Sequence, residues 1–163
     1  MNGSSIPDMT QCHDGTVEIA SAPDRGPRPQ PKQQRSLYIL CIDDDAGIRE
    51  FLNDCFTHFN HRVVVASGGK HGIELFRTAT LKHQPYEVVI TDLGMPDIDG
   101  HRVAQTIKAE SPNTPVIVMT GWGTIGDEEG IALKVDAVVS KPPHMQELND
   151  LILRITSPAK PRP

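Results

Sequence analysis

Residues 88–100 read Val-Val-Ile-Thr-Asp-Leu-Gly-Met-Pro-Asp-Ile-Asp-Gly. The stretch opens with a β-branched apolar run that lacks polar alternation, as expected of a strand covered on both faces. It ends in Thr91-Asp92 and passes through a turn rich in Gly, Pro and Asp. A helical pattern then begins at Gly100 and places Val103, Ala104 and Ile107 on one stripe. Strand, turn and helix in that order make one unit of a parallel α/β sheet.

The same unit recurs on both sides. Apolar runs lie at Leu37 to Ile42, Val63 to Ala66, Val116 to Met119 and Val135 to Val139. Helical patterns fall between and after them. One carries Ile48, Phe51, Leu52, Cys55, Phe56 and Phe59; a second, from Lys70 to Ala79, carries Ile73 and Phe76. A short fourth pattern covers Asp127 to Lys134, and the last, from Pro143 to Ile155, carries Met145, Leu148, Leu151, Ile152 and Ile155. Pro143 suits a first helical turn. The pattern predicts an α/β fold, a doubly wound sheet of five parallel strands.

The charge distribution separates a body from two tails. Residues 1–36 hold four acids and four bases, and residues 156–163 hold two bases and no acid. The body, 37–155, keeps 17 acids against 10 bases, a net charge of −7. Five of the fourteen prolines lie in 1–36 and three in the last six residues. Both ends are too poor in apolar residues to repay ordering, and are predicted to be disordered tails. An acidic body repels a phosphate backbone, which argues against direct nucleic-acid binding and favours a metal cation as the charged ligand. No run approaches a membrane span or a signal-peptide core, so a cytoplasmic protein without membrane insertion is expected. Cys12, Cys41 and Cys55 are odd in number and lack C-x-x-C spacing, as reduced thiols would be.

In open parallel sheets, ligands bind beyond the carboxyl ends of the strands. Here those ends carry Asp43-Asp44-Asp45, Thr91-Asp92, Thr120-Gly121 and Ser140-Lys141-Pro142. Singly, each has an ordinary structural role: Asp45 suits a helix cap, and a lone lysine is usually a solvated charge. Together, Asp43, Asp44 and Asp92 would repel one another unless a cation intervened. Three negative charges are matched by Mg²⁺ and the Lys141 ammonium, a hard-cation site with oxygen ligands.

These stretches resemble the receiver domain of two-component response regulators. Four segments carry the likeness, in order: Ile39 to Asp45; Val89 to Gly100, which contains D-x-x-M-P-x-x-D-G; Val118 to Gly121; and Ser140-Lys141-Pro142. The resemblance implies a flavodoxin-like receiver fold with strand order 2-1-3-4-5, formed by residues 37–155. It implies Asp92 as phosphoacceptor, with Mg²⁺ held by Asp43, Asp44, Asp92 and the Gly94 carbonyl. Lys141 and Thr120 would contact phosphoryl oxygens, and the Lys141–Pro142 peptide would be cis. The implied partners are a sensor histidine kinase or histidine phosphotransfer protein and a downstream protein target. Such a chain is a switch rather than an enzyme, either a stand-alone regulator or the receiver of a hybrid sensor kinase.

Some positions depart from the commonest receiver pattern. Val138 stands where an aromatic switch residue is usual, and Pro143 stands two after Lys141. Gly94 and Trp122 lie two after Asp92 and Thr120 and bring no carboxylate or amide to polarise water, which implies slow loss of the phosphoryl group. Two other functions compete. A Mg²⁺-dependent phosphohydrolase with an aspartate nucleophile wants a second acid two residues on, where Gly94 stands, and commonly a cap domain. A pseudo-receiver used only for protein contacts would have no need of the full acid, threonine and lysine set.

Overall fold

The computed structural model describes residues 35–121 and 135–157. The strands are β1 (Tyr38–Ile42), β2 (Arg62–Ala66), β3 (Val88–Asp92), β4 (Val116–Thr120) and β5 (Ala137–Ser140). The described helices are α1 (Ala46–His58), α2 (Gly69–Leu81), α3 (Gly100–Glu110) and α4 (Met145–Thr156). All strand pairs are parallel and the order is β2-β1-β3-β4-β5, the expected arrangement. The helical pattern at Asp127 to Lys134 and Trp122 lie outside the described residues, as do 1–34 and 158–163.

The unbroken apolar runs are explained by the core, which has two halves. Leu40, Ile42, Val89, Val116 and Val118 pack with Phe76 of α2 and Val103 and Ile107 of α3. Their chain neighbours Ile39, Cys41, Val88, Ile90, Ile117 and Met119 pack on the other face with Leu52 and Phe56 of α1 and Leu148 and Ile152 of α4. Successive side chains point to opposite faces of a strand, so burial on both sides requires apolar residues at every position. Burial also pushes the Cys41 thiol up, with Asp43 adding to the effect, so it stays protonated and unreactive.

Helix starts follow their caps. The Asp45 carboxylate accepts from the Ile48 amide at 2.9 Å and that of Asp99 from the Arg102 amide at 2.8 Å, satisfying orphan donors of α1 and α3. Pro143 does not open the last helix. The backbone at His144 is still extended (φ −77°, ψ 102°), and α4 begins at Met145. Arg35, in the segment read as tail, is among the described residues and donates to the Thr156 carbonyl at 3.0 Å.

His61 follows α1 and stands immediately before β2. It is buried, its Nδ1 accepts from the Leu37 amide at 3.1 Å, and its Nε2 lies 2.8 Å from Asn149 Oδ1. Since Nδ1 is an acceptor, the proton sits on Nε2 and is donated to Asn149. The entrance to β1, the start of β2 and α4 are thereby tied together.

Adjacent residues of α1 provide a test of this packing. Leu52 is fully buried and Phe51 is 42% exposed. Leu52→Ala is expected to cost about 2–5 kcal/mol in urea unfolding, and Phe51→Ala less than about 1 kcal/mol. Equal losses would contradict the assignment of the buried face.

Candidate functional site

At the C-terminal edge of the sheet, hydrogen bonding continues one step past β1, β3 and β5. The Asp43 amide donates to the Ala66 carbonyl at 3.1 Å, Leu93 to Met119 at 2.8 Å, and Lys141 to Thr120 at 2.7 Å. Residues just beyond the apolar runs are therefore held by the sheet rather than by mobile loops. This brings Asp43, Asp44, Asp92, Thr120 and Lys141 to one edge.

Asp43, Asp44 and Asp92 each offer a carboxylate oxygen, all within 4.8 Å of one another. Asp43 is fully buried, Asp92 nearly so, and Asp44 faces solvent. The Lys141 Nζ lies 2.6 Å from Asp43 Oδ2 and 2.9 Å from Asp92 Oδ1. The other Asp43 oxygen, Oδ1, accepts from the Asp45 amide at 2.9 Å. Burial pushes the Asp43 carboxyl up, an effect opposed by Lys141 and the Asp45 amide. For Lys141, burial works against the charged form, but the carboxylates of Asp43 and Asp92 outweigh it and hold the ammonium above its ordinary pKa. One ammonium spans two acids and leaves the group with net negative charge. Three oxygen donors at one rim, partly open to water, fit a hard divalent cation.

Thr120 is buried at the end of β4, paired in register with Ser140 of β5. Gly94 is exposed in the turn after Asp92, with open space where a Cβ would stand, and the same is true of Gly121. The Lys141–Pro142 peptide is cis. Val138 is half-buried on β5. Cys55, His58 and His61 form no ligand group among the described residues.

Two supporting features were not read from the sequence. Gly100 is packed so closely under the Asp92 loop that a Cβ there would lie 2.1 Å from the Asp92 carbonyl oxygen, while its amide donates to the Leu93 carbonyl at 3.0 Å. Arg49 of α1 turns back to the acidic loop, where Nη1 donates to the Asp43 carbonyl at 2.8 Å and the Asp44 carbonyl at 2.9 Å. The D-G pair at 99–100 signalled the first. The second has only an arginine in the first turn after the acids as its signal.

Residues 39–153 match the family model described as the response regulator receiver domain. A probable transcriptional regulator, ycf27, of Guillardia theta is 37% identical over 112 residues, which cover 68% of this chain and 41% of that protein. The cell cycle response regulator CtrA of Brucella ovis is 28% identical over 113 residues, covering 69% of this chain and 47% of the relative. The chain thus spans less than half the length of these relatives. Among solved structures, a response regulator receiver domain protein of Clostridium thermocellum superposes with a TM-score of 0.66 at 27% identity, over 74% of this chain and 94% of that one.

The two glycines of the Asp92 turn region should respond differently to alanine. Gly100→Ala forces a Cβ onto backbone and is expected to lower stability by about 1–3 kcal/mol, despite alanine's better helix propensity. Gly94→Ala meets open space and should stay within about 0.5 kcal/mol. Urea unfolding of both variants checks the contrast, and equal effects would contradict it.

Proposed function

The chain belongs to the response regulator receiver domain family, and from that premise we propose that it is the phosphoacceptor of a two-component phosphorelay, with Asp92 receiving the phosphoryl group. The observation that carries the reading is the Lys141 ammonium set between Asp92 and Asp43, with Asp44 completing the carboxylate group. The donor would be a phosphohistidine of a sensor histidine kinase or histidine phosphotransfer protein. An Asp92 oxygen attacks phosphorus, the new P–O bond forms as the P–N bond breaks, and the electron pair returns to the imidazole nitrogen, which takes a proton.

The chain's own groups prepare this transfer. Lys141, whose Nζ lies 2.9 Å from Asp92 Oδ1, orients the carboxylate and is near enough to pair next with a phosphoryl oxygen. The Thr120 hydroxyl, at the next strand end, would donate to another. Asp43, Asp44, Asp92 and the Gly94 carbonyl would hold Mg²⁺, which when bound offsets the charge of the phosphoryl oxygens. Because these groups are in place beforehand, little reorganisation accompanies the reaction.

The product stays on the protein, so the reading is a switch rather than an enzyme with turnover. Its output is a docking event with a downstream protein. With Val138 on β5, that output cannot depend on an aromatic ring following Thr120. An acidic body argues against direct contact with nucleic acid, and among the described residues no helix is long and apolar enough to cross a membrane. A cytoplasmic setting, a phosphoacceptor domain of residues 37–155 and tails on either side belong to the same proposal.

The test is incubation of the full chain with acetyl phosphate and Mg²⁺, followed by intact mass. Wild type should gain one phosphoryl group; Asp92→Asn, or wild type with a chelator, should gain none. Equal gain by wild type and Asp92→Asn would reject the assignment. Once formed, phospho-Asp92 should persist for minutes or longer in Mg²⁺, because neither Gly94 nor Trp122 can polarise an attacking water. Decay within seconds, followed by mass against time, would contradict that.

A further inference from the structure

We propose that Arg49 is a positioning residue for the cation site, clamping the peptide carbonyls of Asp43 and Asp44 so that the two acids are presented in fixed directions. The inference rests on the metal reading above. Its basis is one nitrogen: Arg49 Nη1 directs donors to the Asp43 carbonyl at 2.8 Å and the Asp44 carbonyl at 2.9 Å.

These carbonyls lie between two regular elements. The bridge to β2 reaches them only through the Asp43 amide, bonded to Ala66, and α1 begins its own bonding when the Arg49 amide donates to the Asp45 carbonyl at 3.1 Å. Without the clamp, the peptides after Asp43 and Asp44 could rotate and carry the following Cβ with them. Holding both planes leaves the Asp44 carboxylate mainly its side-chain torsions to adjust. The Asp45 amide bond to Asp43 Oδ1, at 2.9 Å, depends on the same peptide orientation. Arg49 therefore supports backbone and side chain of the acidic loop together, and it does so from a first helical turn that the Asp45 cap fixes in place.

Charge and geometry make opposite demands here, which allows a clean test. A guanidinium near a cation site repels the incoming ion, so if charge alone mattered its removal would tighten Mg²⁺ binding. If Arg49 acts by positioning, its removal weakens binding, and groups that orient metal ligands are typically worth about 10–100-fold in affinity.

The measurement is calorimetric titration of Mg²⁺ into the full chain as wild type, Arg49→Met and Arg49→Lys, with thermal unfolding of each recorded without metal. Arg49→Met is expected to bind Mg²⁺ about tenfold or more weakly while still folded. Arg49→Lys, with its charge kept and its reach shortened, should fall between, and it decides the question if the Met variant does not fold. Affinity unchanged or tightened in the folded variant would overturn the proposal. No Mg²⁺ binding by wild type would instead overturn the metal reading on which it rests.

Discussion

Carboxylates held a few ångströms apart at the rim of a sheet cannot all remain ionised unless positive charge is placed among them. Asp43, Asp44 and Asp92 are held in this way, and Lys141 answers part of the demand by bonding to Asp43 and Asp92 at once. Neutralising such a group by an internal ammonium alone would leave a site with nothing further to bind. Here one ammonium bonds two of the three acids. The remaining negative charge favours a divalent cation, and in the proposed reading that cation would in turn offset the charge of an incoming phosphoryl group.

The fold is the means by which that crowding is sustained. Repulsion among the acids would spread them if they sat on loops. Instead Asp92 closes β3 and Asp43 directly follows β1, strands buried on both faces, and backbone hydrogen bonds at Asp43, Leu93 and Lys141 extend the strand edge by one step. Gly100 adds a steric floor beneath Asp92, and Arg49 restrains the carbonyls beside Asp43 and Asp44. In the proposed phosphoacceptor role, this anchoring would let a change of charge at Asp92 reach the neighbouring strand ends.

Much of this was legible in the sequence because it is written in local pattern. The run Val88 to Asp92 with Gly100 beyond it announces strand, turn and helix, and all five strands lie within or beside apolar runs. The caps at Asp45 and Asp99 bond as their residue types suggest. The site residues were found because they directly follow those runs. What escaped was side-chain direction across space. Nothing in the spacing of Arg49 says that its guanidinium turns back on the acids, and nothing near His61 says that it meets Asn149, 88 residues away. Pro143 is a related case: proline is compatible with a first helical turn, but the extended backbone at His144 starts α4 later.

The most direct measurement is to find which carboxylate carries the phosphoryl group. An acyl phosphate is reduced by borohydride to the corresponding alcohol, so the modified aspartate becomes homoserine, and peptide mass spectrometry reports its position. After treatment with acetyl phosphate and Mg²⁺, homoserine is expected at position 92 alone. Homoserine at 43 or 44, or at no position in a sample whose intact mass shows the phosphoryl group, would contradict the assignment of Asp92.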